Sequence, residues 1–132
     1  MDRLFLDANV LFSAAYRPNA GLLRLWRLSN VELCTSRYAL EEARINLTEN
    51  VQRRRLMRLS ANLNFFDHTS PELPPGVDLP EKDIPILLAA IEARCTHLIT
   101  GDLRHFGPYF GKKLSGILVL SPADYFRLHS SL

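Results

Sequence analysis

Short apolar runs alternate with longer stretches of helical periodicity along this chain, and that rhythm limits the fold more than any other feature. Arg3–Leu6 is a compact strand candidate that runs straight into Asp7. Asn9–Ala15 and Gly21–Leu28 carry a helical pattern, broken at Arg17–Pro18–Asn19. Val31–Cys34 reads as a second strand. Ser36 is a favoured N-cap type for a helix running to about Leu47, and Thr48 or Asn50 opens another carrying Val51, Leu56, Leu59 and Leu63. A third strand is expected within Asn64–His68, around Phe65 and Phe66. Ser70–Pro80, with its prolines and Gly76, reads as a loop. Glu81–Arg94 is predicted helical, with Ile84, Leu87, Leu88 and Ile91 at core spacing. His97–Thr100 and Ile117–Leu120 follow as strands, and Pro122 opens a last helix to about Leu128.

This order predicts an α/β fold with a mostly parallel sheet. The length suits one domain over residues 1–132, with no repeat, low-complexity tract or linker to divide it. The formal net charge is only +2, so the placement of basic residues matters more than their sum. Asp2, Arg3 and Asp7 interrupt the first apolar run too early for a signal peptide, and Ile84–Ile91 is too short to span a bilayer. A soluble, cytoplasmic protein without membrane contact is the expectation. Cys34 and Cys95 stand in apolar surroundings outside any CxxC pair and read as buried free thiols, with a disulfide between them left open.

Ligands of open α/β sheets bind beyond the carboxyl ends of the strands. Asp7 and Asp102 fall there, on one rim, after LFL and LITG respectively. Each has a plainer role available. Asp7 is a good cap for the helix that follows, Asn9 a turn residue, and Asp102 an ordinary turn aspartate after Gly101, with the Thr100 hydroxyl close by. Two acids on one rim repel each other unless positive charge lies between them. Asp83 sits in the first turn of its helix, where the dipole favours an acid, and shares the inward face with Ile86 and Ala90. Glu41 and Glu42 are adjacent on a helix, a pattern that usually marks a solvated face. Glu42 lies beside the stripe of Leu40, Ala43 and Leu47 and is the better candidate to reach a shared site, with Glu41 as the alternate.

The segments LDANVL, EEARINL, DIPILLAA and LITGD, in that order and spacing, resemble the PIN-domain nucleases, and the likeness extends to PADYF near the end. The resemblance implies a five-stranded parallel sheet flanked by helices, and an acid cluster that binds magnesium or manganese. Asp7, Glu42, Asp83 and Asp102 match its four acids in turn, and Asn9 and Thr100 match the polar positions that support them. It also implies a ribonuclease that leaves 5′-phosphate and 3′-hydroxyl ends. Small VapC-like members often act as toxins paired with an antitoxin, and often form homodimers. The alternative within the same resemblance is a catalytically weak domain that binds RNA or a protein partner.

Oxygen donors suit hard cations such as Mg2+ or Mn2+. His97 and His105 flank one strand without zinc-like spacing and are expected at the surface or core edge. A phosphotransfer domain using Asp7 as nucleophile would need a DxD pair, and Asn9 stands at its second position. For substrate contacts, Arg53, Arg54, Arg55 and Arg58 form one basic segment, and Arg104, His105, Lys112 and Lys113 another. Phosphate binding and a solvated face are both open for these groups. Tyr109, Phe106 and Phe110 are open to base stacking or to core packing.

Overall fold

The computed structural model describes residues 1–67 and 73–129. Its strands are β1 (Asp2–Leu6), β2 (Val31–Thr35), β3 (Asn64–Phe65), β4 (His97–Ile99), β5 (Lys113–Leu114) and β6 (Ile117–Leu120). The helices are α1 (Ala8–Tyr16), α2 (Arg37–Asn46), α3 (Asn50–Ser60), α4 (Ile84–Glu92), α5 (Leu103–Phe106) and α6 (Pro122–His129). Together the strands form one sheet in the order β3-β2-β1-β4-β6-β5, parallel except for the β5–β6 pair.

Side chains alternate faces along a strand, so a strand buried at every position must be covered on both sides. Leu4, Phe5 and Leu6 are each fully buried. β1 is therefore central, with helices on both faces. From β1 the chain builds outward through β2 and β3, then returns to lay β4 on the other side. The β1–β4 boundary is the switch point where such sheets open a crevice at their carboxyl ends.

The sheet has six strands, where five were expected. The addition is β5, which makes a tight hairpin with β6 through Ser115 and Gly116. Both turn residues take positive φ, 51° and 81°, as a type I′ turn requires. A two-residue strand has no alternation to detect. Gly21–Arg27 is a 3-10 helix, and Glu81–Asp83 forms a 3-10 turn ahead of α4. Pro85 sits early in α4, where the missing N–H costs nothing. The strand expected over Asn64–His68 is confined to Asn64–Phe65, and His68 lies outside the described residues, as do residues 70–72 of the expected loop.

Ser36 caps α2, its Oγ accepting from the Ala39 N–H at 3.1 Å. Ser36→Ala leaves that donor unpaired in a buried position and is expected to cost about 1 kcal/mol, a fall of a few degrees in Tm by thermal denaturation.

Candidate active site

Asp7 follows β1 directly and caps α1. Its Oδ1 accepts from the Ala8 N–H at 2.7 Å. Its Oδ2 accepts from the Thr100 hydroxyl at 2.7 Å and the Asn9 amide at 3.1 Å. Capping and site-building are thus the same act, not competing roles. Burial pushes the Asp7 carboxyl up from 3.8 to about 6; the bonds from Thr100 and Ala8 oppose this, and the charges of Asp83 and Glu42 add to it.

Asn9 and Thr100 tie the two strand ends together. Asn9 Oδ1 accepts from the Gly101 N–H at 2.7 Å, and Thr100 Oγ1 accepts from the Asp102 N–H at 3.1 Å. A Cβ at Gly101 would stand 3.3 Å from Asn9 Oδ1, so the small residue permits the close crossing. Asp102 then caps α5 by accepting from the His105 N–H at 3.1 Å, which turns residue 105 back over the cap.

Asp83, buried at the junction of the 3-10 turn and α4, meets this group. His105 Nδ1 lies 2.8 Å from both Asp83 Oδ2 and Asp102 Oδ2. The separation is that of a hydrogen bond but the alignment is not: Asp83 Oδ2 and His105 Nδ1 are buried without a directed partner. The contact is electrostatic. Burial raises the Asp83 carboxyl pKa, His105 opposes the rise, and Asp102 adds to it.

Glu42, on α2, faces the same cleft of about 360 Å³, with Asp7, Asn9, Lys82, Asp83 and Asp102. Its carboxyl is raised by burial; Lys82 lowers it, and Asp83 and Asp102 raise it further. Glu41 instead forms a bidentate pair with Arg44, at 2.9 and 2.5 Å, on the exposed side of α2. Between the two glutamates, only Glu42 lines the cleft.

The structure thus gathers all four acids with Asn9 and Thr100. It also brings two further residues to the site, His105 and Lys82. His105, expected among the substrate contacts, sits between two site carboxylates, because the Asp102 cap folds α5 back on itself. Lys82 supplies the cleft's ammonium. The other basic candidates do not line the cleft. Arg104 and Lys112 are exposed, and Lys113 pairs across from Leu118, the neighbour of His97 at the far end of the sheet. Arg53, Arg54 and Arg58 line a separate shallow groove on α3 with Met57, and Arg55 donates to the Ala15 carbonyl at 2.7 Å. Phe106 is core, Phe110 packs against it, and the Tyr109 hydroxyl bonds both backbone groups of Asp78.

Donor atoms of Asp83, Asp102 and His105 lie within 4.8 Å of one another. With a buried carboxylate oxygen and a buried imidazole nitrogen that lack aligned hydrogen bonds, this cluster fits a bound divalent cation.

An acidic crevice at the switch point of a mostly parallel sheet places this chain among the α/β domains that bind their ligands beyond the carboxyl ends of the strands. The family model for the PIN domain matches residues 3–104, and the chain belongs to the PIN-domain family. Similar solved structures include VapBC2 from Rickettsia felis bound to a DNA fragment from their promoter, with TM-score 0.68 at 15% identity, covering 90% of this chain and 98% of that one. VapBC-1 from nontypeable Haemophilus influenzae is similar at TM-score 0.56 and 15% identity, covering 92% and 98%. FitAcB from Neisseria gonorrhoeae is similar at 0.52 and 18%, covering 91% and 98%. At these identities the likeness is one of fold. No curated protein matches the chain.

Proposed function

We propose that this protein is a divalent-metal-dependent endoribonuclease, acting in the cytoplasm as the toxin of a toxin–antitoxin pair. The observation that carries the catalytic reading is the convergence of Asp7, Glu42, Asp83 and Asp102 on one cleft at the switch point. Asp7, Asp83 and Asp102 would hold Mg2+ or Mn2+, with Glu42 facing them. Such a cation, when bound, supplies Lewis-acid charge at the scissile phosphate and acidifies a water.

The protein's own groups do the rest. Thr100 and Asn9 fix Asp7 in one rotamer, so the carboxylate needs no reorganisation on binding. Glu42, made more basic by its surroundings, orients the attacking water and takes its proton. Lys82 offsets phosphate charge from the cleft wall. Water adds to phosphorus as the P–O3′ bond breaks, leaving a 5′-phosphate and a 3′-hydroxyl. The toxin reading is supported by the resemblance and by the VapBC and FitAcB complexes among its structural neighbours; a second copy of the chain is a further expected partner.

Cleavage of single-stranded RNA should depend on Mg2+ or Mn2+, stop with EDTA, and fall by at least ~100-fold in Asp102→Asn. Equal rates in both proteins, or cleavage indifferent to EDTA, would sink the assignment. RNA binding without any cleavage would instead favour the catalytically weak alternative.

Thr100→Val offers a finer check. The lost hydroxyl bond moves the Asp7 pKa further above about 6, so less carboxylate is present in mild acid. At subsaturating Mg2+, where proton and cation compete for Asp7, the rate should fall severalfold more at about pH 6 than at about pH 8.

A further inference from the structure

A second group of potential ligands lies at the opposite rim of the sheet. Asp2 opens β1, His97 opens β4, and His129 ends α6. One donor atom from each lies within 4.8 Å of the others, and His129 Nε2 stands 3.2 Å from Asp2 Oδ2. Ligands at zinc's usual bond lengths sit about 3.3 Å apart around a tetrahedral ion, so that pair already has the required spacing.

The hydrogen bonds behind both rings fix which nitrogen is available. The Thr96 hydroxyl accepts from the Arg3 N–H at 2.9 Å and donates to the Arg3 carbonyl at 3.0 Å. With the hydroxyl proton used in this way, the 2.7 Å contact with His97 Nδ1 is made with that nitrogen as the donor. His129 Nδ1 lies 2.8 Å from the Tyr125 carbonyl, which can only accept. His129 thus carries its proton on Nδ1, and with the same tautomer at His97 each ring offers Nε2 to a metal. Tyr125 also donates to Asp2 Oδ2 at 2.7 Å, fixing the carboxylate. Ligand histidines are oriented in this way, with the far N–H held by an acceptor.

We propose that Asp2, His97 and His129 form a second cation site, for a borderline divalent metal with Zn2+ foremost, that pins α6 to the start of β1 and β4. Two imidazole nitrogens and one carboxylate oxygen are a zinc-type set, unlike the oxygen-rich catalytic cleft. Three protein donors leave a fourth position to water. An open pocket beside Asp2 and His129, reaching Ser29 and Asn30, has room for it.

The test uses tag-free protein carrying Asp102→Asn and His105→Gln, which removes nitrogen ligation at the acidic cleft. One equivalent of Zn2+ should bind by calorimetry with a Kd of about 1 μM or tighter, and at about 100-fold excess over Kd raise Tm by roughly 5–10 °C. His97→Gln and His129→Gln should each weaken binding at least ~10-fold. Nitrogen NMR of the imidazoles reads the same site without touching it: Zn2+ should shift Nε2 of His97 and His129 while Nδ1 stays protonated. Absence of a tight equivalent, or unmoved Nε2 resonances of these two rings, would overturn the proposal whether or not the variants fold.

Discussion

Asp7→Asn is expected to abolish metal-dependent RNA cleavage, by at least ~100-fold, while raising the stability of the metal-free protein at pH 7. The two effects share one origin. Asp7 is buried, and its carboxyl pKa rises from 3.8 to about 6. The native state therefore holds that proton more tightly than the unfolded chain does. Stability from this group is fully present below about pH 4 and is lost as pH rises through about 6. At neutral pH the ionised carboxylate costs about 3 kcal/mol relative to the protonated form.

An asparagine carries no charge and still accepts from the Ala8 N–H. Its amide nitrogen then faces the Asn9 amide, donor against donor, and the Thr100 hydroxyl, which must turn to accept, at a cost of about 1–2 kcal/mol. The net gain is about 1–2 kcal/mol, a rise of a few degrees in Tm in EDTA. Wild type should gain Tm on adding Mg2+ at pH 7, and Asp7→Asn should gain far less. A variant less stable than wild type in EDTA would show that Asp7 is held for the fold, not for a cation.

Phe5→Ala carries the largest expected cost to the fold. Phe5 is fully buried in β1, in register with Cys34 on β2 and Leu98 on β4. Helices cover both faces of β1, so the lost ring leaves a cavity that cannot collapse without moving a neighbouring element. The cost is expected at about 3–5 kcal/mol, or a Tm lower by roughly 10–15 °C. In urea the midpoint should fall with the slope m unchanged. Ile45→Ala, at a position 62% exposed, should stay within about 0.5 kcal/mol of wild type. Similar losses at both positions would contradict the placement of β1 at the centre.

The features legible in the sequence are those encoded locally. Asp7 and Asp102 were placed by strand-end position, and Asp83 by its helix face. Ser36 announced α2 by type, and its helix brings Glu42 to the cleft while the Arg44 pair draws Glu41 outward. What sequence could not show depends on chain returning to itself. His105 enters the acidic cluster through a single turn after Asp102, a signal present in the three-residue spacing but indistinguishable from a surface histidine. His97 meets His129 only because α6 comes back along the sheet to the start of β1, and no spacing rule links such distant residues. β5 was missed for want of length, although Ser115–Gly116 carried the turn chemistry.

The two outermost strands, β3 and β5, are each two residues long. A sheet margin that short offers almost no row of free amides and carbonyls on which another chain's strand could template itself. The two outermost strands thus offer little edge for pairing, and recognition by other macromolecules falls chiefly to helices, loops and the crevice between them.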